Sequence, residues 1–86
     1  SGPTIMALAD AAMYAVVLGR LGRVEMAVTA NLNINFLSKP APVDLLAEAR
    51  ILRLSRRQAV CEVGIFSAGN EEDLVAHVTG TYALPL

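Results

Sequence analysis

A long apolar stretch near the start of the chain, residues 2–18, constrains the fold more than any other feature. Pro3 suits the first turn of a helix, where a backbone N–H would have no partner within the helix. Gly19 and Arg20 follow the stretch and are typical of a helix end, because glycine adopts left-handed conformations and a cation favours the negative end of the helix dipole. The sequence therefore predicts one helix over residues 2–18, followed by a turn at 21–23.

Asp10 is the one charged residue within this apolar stretch. Its helical neighbours three and four positions away include Met6, Met13 and Tyr14, and none of these can neutralise a carboxylate. A helix that is apolar nearly all round is expected to be wrapped by other structure, and an acid desolvated there becomes a stronger base. Asp10 is therefore a candidate catalytic group; the alternative is an acid that a nearby hydroxyl or backbone group satisfies.

Length and composition favour one small cytoplasmic domain. The chain has 86 residues, of which 55% are hydrophobic, and that fraction is high enough in a small protein to indicate a buried subunit interface. A net charge of −1 gives no electrostatic reason to expect binding to nucleic acid or to an anionic membrane. The apolar helix is too short to cross a bilayer and contains a charge. The single cysteine, Cys61, excludes an internal disulfide and fits a reducing compartment.

Residues 24–37 alternate between apolar and polar side chains, which predicts a long strand with one face on a core. The polar face carries uncharged groups, and this favours contact with a ligand or with a partner subunit over plain exposure to solvent. Pro40 and Pro42 end the strand, because proline cannot donate to a sheet. The polar face is made of Thr29, Asn31, Asn33 and Asn35.

The rest of the chain predicts three further strands, at 43–54, 58–67 and 74–84. A hairpin turn separates the first two at 55–57, and an acidic loop at 68–73 precedes the last. The predicted fold class is therefore α+β, with one helix packed on one face of a four-stranded antiparallel meander. One sheet covers one side of a helix, so a second subunit or further N-terminal chain is expected to cover the other side.

Two segments and the end of the chain resemble the hotdog-fold acyl-CoA thioesterases of the phenylacetic-acid-degradation and 4-hydroxybenzoyl-CoA thioesterase type. Residues 1–10, SGPTIMALAD, resemble the His-Gly-Gly…Leu-Ala-Asp pattern on that family's central helix. Residues 29–41, TANLNINFLSKPA, resemble the strand that follows, and residues 80–85, GTYALP, resemble the last strand. The resemblance covers essentially the whole chain and implies a hotdog fold, in which a curved antiparallel sheet wraps a long helix.

The resemblance implies a single hotdog-type thioesterase domain over residues 1–86 that lacks the family's N-terminal segment. Ser1 and Pro3 stand where the family motif has its histidine and its second glycine. By position, Asp10 matches the catalytic carboxylate, Gly2 the glycine whose backbone N–H polarises the thioester carbonyl, and Thr29 a hydroxyl that positions the attacking water.

The implied activity is hydrolysis of an acyl-CoA thioester, with Asp10 as general base and with no cofactor or metal. A non-catalytic module that binds an acyl ligand is an alternative. A hotdog dehydratase or hydratase is disfavoured, because that chemistry needs a histidine beside the acid and none accompanies Asp10 on the helix.

The spacing of Gly2 and Asp10 along the helix indicates how many chains form one site. Eight positions along a helix correspond to about 12 Å, so one thioester cannot reach both groups within one chain. The sequence therefore predicts a homodimer in which each site takes Gly2 from one chain and Asp10 from the other. A homotetramer, built as a dimer of dimers, is the larger alternative.

Several other residues are candidates for substrate binding. Basic residues in loops reach ligands easily and suit the phosphates of CoA. Polar residues of the first strand and a tyrosine one turn after Asp10 are candidates for contact with substrate, although an interface or simple packing also explains them. His77 is expected to be a satisfied strand histidine and Cys61 a core side chain. The candidates for substrate binding are Tyr14, Asn31, Asn33, Lys39, Arg56 and Arg57.

Overall fold

The computed structural model describes residues 2–22, 28–39 and 44–85, apart from the side chains at positions 2–4 and 71. The predicted α+β order, one helix followed by an antiparallel four-stranded sheet, is confirmed. Among the described residues, no helix combines the length and apolarity that crossing a bilayer requires. The elements are α1 (Gly2–Leu21), β1 (Val28–Phe36), β2 (Leu45–Leu54), β3 (Gln58–Ser67) and β4 (Asn70–Ala83).

The strand order in the sheet is β1-β4-β3-β2. β2, β3 and β4 form the predicted meander, but β1 pairs with β4 and not with β2, so the meander prediction is wrong for the first strand. The physical reason lies in the connection. A tight hairpin joins two strands through only a few residues, whereas eight residues with two prolines in their sequence, 37–44, separate the end of β1 from the start of β2. β1 is consequently one edge of the sheet and β2 the other.

Two of the described element boundaries differ from the prediction by three residues or more. α1 continues to Leu21, so Gly19 lies inside the helix, and Gly22 with φ 76° follows its end. The Gly22 N–H donates to the Leu18 carbonyl at 2.8 Å, which satisfies one of the last helical carbonyls. β4 begins at residue 70 and not at 74, because the turn before it needs only two residues, the second of them Gly69 with φ 83°. The predicted strand positions 24–27 and 43 lie outside the described residues.

The two glycines near the end of α1 give a matched stability test. A Cβ added at Gly19 would meet nothing within 4 Å, whereas Gly22 has a left-handed φ that L-residues adopt only with strain. We expect Gly19→Ala to raise the free energy of unfolding by about 0.5–1 kcal/mol and Gly22→Ala to lower it by about 1–2 kcal/mol. Denaturant titration of both variants checks this, and shifts of the same sign would contradict the helix end described here.

The core lies between one side of α1 and one face of the sheet. Four helix residues spaced by one turn are fully or almost fully buried, as are the alternate residues of β3 that face them. Gly80 on β4 lets the helix approach closely, since a Cβ there would lie 2.9 Å from the Met13 sulfur. Cys61 is buried in this layer, as expected for a core side chain. The buried residues are Ile5, Ala9, Met13 and Val17 of α1 and Ala59, Cys61, Val63 and Ile65 of β3.

The other side of α1 is not covered within one chain. Met6, Tyr14 and Leu18 are 45%, 41% and 38% exposed, although all three are large and apolar or aromatic. The helix is therefore apolar all round, as the sequence indicates, but the sheet covers only one side of it. The cover predicted for the second side, by a partner subunit or further chain, stays a prediction.

Candidate active site

Asp10 and Tyr82 form the centre of the candidate site. The Tyr82 hydroxyl lies 3.0 Å from Asp10 Oδ1 and 3.2 Å from the Asp10 backbone carbonyl, and it is the donor in both contacts. Asp10 itself lies on the exposed side of α1, so the single chain does not desolvate this acid. The reason is that the sheet covers only the opposite side of the helix. The carboxylate is thus hydrogen-bonded at one oxygen and open to an approaching ligand.

The surroundings of Tyr82 keep its hydroxyl protonated, so this hydroxyl acts as a hydrogen-bond donor. Its side chain is only 3% exposed, and burial, followed by the hydrogen bond with Asp10, raises the pKa of Tyr82 to about 12. The phenol therefore keeps its proton at any ordinary pH. It can give a hydrogen bond to Asp10 but cannot serve as a base near neutrality.

Thr29 joins this cluster because of an irregularity in β1. The register with β4 shifts between Thr29 and Asn31, so that Thr29 lies opposite Tyr82 while Asn31 lies opposite Thr81. Thr29 is therefore the cross-strand neighbour of Tyr82, and its side chain acts to lower the pKa of that phenol, against the larger effects of burial and Asp10. Simple alternation predicted Thr29 and the asparagines on one face, and this is wrong because the bulge moves Thr29 to the helix side.

Tyr14 packs beside the cluster. Its ring lies edge-on to that of Tyr82, with ring centroids 6.4 Å apart and planes at 78°. The hydroxyl that reaches Asp10 thus belongs to Tyr82, which is 72 positions away in the chain, and not to the neighbouring Tyr14. Sequence reasoning missed Tyr82, although it lies within the GTYALP segment that carries the resemblance. Long-range pairing of this kind leaves no periodic signal in a single sequence.

Gly2 is the first residue of α1, and Asp10 lies on the same helix. The rise of a straight helix separates them by about 12 Å, so the described chain does not bring the two predicted catalytic groups together. The neighbouring Ser1 lies outside the described residues.

Asn31 and Asn33 lie on the sheet face that points away from α1. Leu32, between them, pairs with Gly80, and Gly80 abuts Met13 of the helix. The side chains on either side of Leu32 therefore point to the opposite face. The structure does not bring these two asparagines next to Asp10 of the same chain, and a role for them in substrate binding stays a prediction.

The three basic candidates lie at opposite ends of the sheet. Arg56 and Arg57 are exposed in the β2–β3 turn, where the Arg57 carbonyl accepts from Leu84, so they share the end that contains Tyr82. Lys39 follows β1 at the far end, where Phe36 pairs with Ala76. The span from Ala76 to Ala83 along β4 is about 23 Å. One chain therefore cannot place Lys39 and the arginines on the same phosphate.

His77 belongs to a separate polar row on the outer sheet face. Its Nε2 lies 3.1 Å from Glu62 Oε2, and Arg50 Nε donates to Glu62 Oε1 at 2.6 Å. The hydrogen bonds from His77 and then Arg50 lower the pKa of Glu62. His77 is thus satisfied, as expected, and it is the single histidine of the sequence. Because it lies across the sheet from Asp10, this chain has no histidine beside the acid for dehydratase chemistry.

A shallow groove of about 490 Å³ lies over this row. Its floor combines the polar row with two half-buried apolar side chains, Phe66 and Leu74. It lies on the face opposite Asp10 and is not part of the candidate site.

Comparison with known proteins identifies the family. The model of the thioesterase superfamily matches residues 1–73 of the 86. Among solved structures, a candidate thioesterase from Silicibacter sp. TM1040 is 47% identical with a TM-score of 0.91; it covers 100% of this chain, which spans 60% of that protein. No curated protein matches the chain significantly.

Two further structures are informative. The phenylacetic acid degradation protein PaaI from Thermus thermophilus, solved as a point mutant, is 31% identical with a TM-score of 0.81, over 99% of this chain and 69% of that one. A Bacillus halodurans protein solved with CoA is 28% identical with a TM-score of 0.83, and the match covers 99% of this chain and 58% of that protein. The chain thus spans less than two thirds of the length of two of these three relatives. By family model, sequence identity and fold, the chain belongs to the thioesterase superfamily.

Proposed function

We propose that the protein is an acyl-CoA thioesterase in which Asp10 activates the attacking water. The observation that carries the proposal is the Asp10 carboxylate, held at Oδ1 by the Tyr82 hydroxyl and accessible on the open side of α1. A carboxylate fixed at one oxygen can accept a proton from water at the other. The presence of CoA in the Bacillus halodurans relative supports CoA as the carrier of the acyl group.

The proposed reaction needs three changes at the thioester. Water adds its oxygen to the carbonyl carbon while Asp10 takes the proton, and the carbonyl oxygen becomes an oxyanion. The intermediate then collapses, the carbon–sulfur bond breaks, and the proton returns from Asp10 to the departing thiolate. The products are a carboxylic acid and free CoA, so atoms and charge balance without a cofactor.

The oxyanion requires a donor, and the proposed donor is the backbone N–H of Gly2. The first N–H groups of a helix have no partner within the helix and carry the positive end of its dipole. Gly2 begins α1, and a glycine there lets a substrate approach the backbone closely. Since Gly2 is about 12 Å from Asp10 in one chain, the proposed donor comes from a second copy.

The proposed assembly is therefore a symmetric homodimer with two composite sites. β1 is an edge strand that carries Thr29 next to the Asp10–Tyr82 pair, so a partner seated at this edge would lie beside the site. Antiparallel pairing of two β1 strands would continue the sheet across a two-fold axis and place both helices on one face. The exposed apolar side chains at the ends of this edge, Val28, Phe36 and Leu37, fit such burial.

Arg56 and Arg57 are the proposed partners of the CoA phosphates, because their turn lies at the same sheet end as Tyr82. Lys39, Asn31 and Asn33 lie too far away, or on the wrong face, to join them in the same chain. These residues remain candidates for substrate binding only if a second protomer brings them to the site.

An assay of thiol release tests the function directly. The protein is incubated with a panel of aliphatic and aromatic acyl-CoAs, and free thiol is followed with a chromogenic disulfide over many turnovers. We expect multiple-turnover release of CoA from at least one member of the panel. Stoichiometric binding of acyl-CoA without release, measured by calorimetry, would instead support the non-catalytic acyl-binding module.

A further inference from the structure

Tyr82 has a role that its burial alone does not explain. A buried phenol needs a hydrogen-bond partner, and a backbone carbonyl would be sufficient. Its hydroxyl does reach the Asp10 carbonyl at 3.2 Å, but it lies closer, at 3.0 Å, to the carboxylate that we propose as the base. The same side chain therefore ties β4 to the helix and touches the one carboxylate of α1.

The hydrogen bonds around Tyr82 run in one direction. The phenol keeps its proton and donates to Asp10, so its oxygen is free to accept a hydrogen bond from the Thr29 hydroxyl, which belongs to the residue opposite it across the two strands. The bulge in β1 gives Thr29 this place opposite Tyr82. The order is thus Thr29 hydroxyl, Tyr82 hydroxyl, Asp10 carboxylate. Thr29 lies behind Tyr82 in this series, and its contact with Asp10 passes through the phenol.

We propose that Tyr82 is a positioning residue for Asp10, and that Thr29 acts through Tyr82 and not on the attacking water. The inference rests on the proposed function. Tyr82 fixes the rotation of the carboxylate by holding Oδ1, so that Oδ2 is presented to the water.

The variant Tyr82→Phe tests this, because it removes one oxygen and keeps the ring that packs against Tyr14. We expect kcat to fall about tenfold with KM little changed, since one charge-assisted hydrogen bond is worth about that factor. A merely structural role would lower the melting temperature and leave kcat of the folded enzyme in place.

Thr29→Val and a double variant separate the two roles of Thr29. If Thr29 acts through Tyr82, Thr29→Val has a smaller effect of the same kind, and it adds nothing in the Tyr82→Phe background. The matched control is Thr81→Val, the same change on the opposite sheet face, which should leave kcat unchanged. Full additivity of the Thr29 and Tyr82 effects, or a wild-type kcat for Tyr82→Phe, would overturn the proposal.

A readout without turnover keeps this inference separate from the proposed function. The carboxyl carbon of Asp10 can be followed by NMR in wild type and Tyr82→Phe at one fixed pH. Its resonance should shift in the variant, because the hydrogen bond at Oδ1 is lost, even if no acyl-CoA is hydrolysed. Absence of hydrolysis by the wild type would end the proposed function, whereas an unchanged resonance would end the role of Tyr82.

Discussion

Asp10→Asn is expected to lower kcat for acyl-CoA hydrolysis by about 10²–10⁴, with little change in KM. The asparagine side chain has the same shape, and its carbonyl oxygen can still accept from the Tyr82 hydroxyl that lies 3.0 Å from Oδ1 in the wild type. What the variant loses is the ability to accept a proton from water. The effect should therefore appear in the chemical step and not in binding or folding.

Thiol release under saturating acyl-CoA measures the loss, and a melting curve shows that the fold is retained. Asp44→Asn is the matched control, because it makes the same chemical change at an exposed aspartate outside the site. We expect Asp44→Asn to keep wild-type kcat. Equal kcat for wild type and Asp10→Asn would end the assignment of Asp10 as the base, even if the protein proved to be a thioesterase.

Much of the fold could be predicted from local patterns. The strand at 58–67 has the predicted bounds, because alternating burial over a full strand and the turns beside it agree. The position of β1 could not be predicted in this way, since pairing with β4 joins residues far apart in the sequence. Neither could its bulge, which follows from the register with the partner strand and not from any single residue.

The candidate site was predictable in part, for related reasons. Asp10 stands out in the sequence as a charge in an apolar helix, and the structure gives its carboxylate a specific partner. That partner, Tyr82, lies on the last strand, so only the folded chain brings the two together. The single chain does not desolvate Asp10, because one sheet covers one side of α1; desolvation of this acid depends on the cover predicted for the other side.

Gly2→Pro is expected to lower kcat by about 10²–10³, the usual loss when one oxyanion donor is removed. Proline eliminates the backbone N–H while suiting the start of a helix, so α1 should still form from this end. A stability measurement checks the fold, and thiol release checks the activity. By itself this loss says only that the N–H matters, not which chain supplies it.

Mixing two inactive variants decides where the donor comes from. In a mixed dimer of Gly2→Pro and Asp10→Asn chains, a composite site formed from the unaltered Gly2 of one chain and the unaltered Asp10 of the other is intact. The second site of that dimer carries both changes. Random exchange at equal amounts makes about half of the dimers mixed, so activity should recover to about one quarter of wild type.

The control for mixing is the double variant, Gly2→Pro with Asp10→Asn in one chain, combined with either single variant. With Gly2→Pro as the partner, every chain in the mixture lacks the Gly2 N–H. With Asp10→Asn as the partner, every chain lacks the Asp10 carboxylate. Neither mixture can form an intact site, so no recovery is expected. Co-expression with two affinity tags and native mass spectrometry establish that mixed dimers form. If they form and activity stays at the level of the parents, Gly2 and Asp10 do not meet across an interface and the composite site is wrong. Recovery to about one quarter of wild-type activity would mean that each Asp10 works with the Gly2 N–H of its partner chain. The separation of about 12 Å between these two residues along α1 requires such an arrangement.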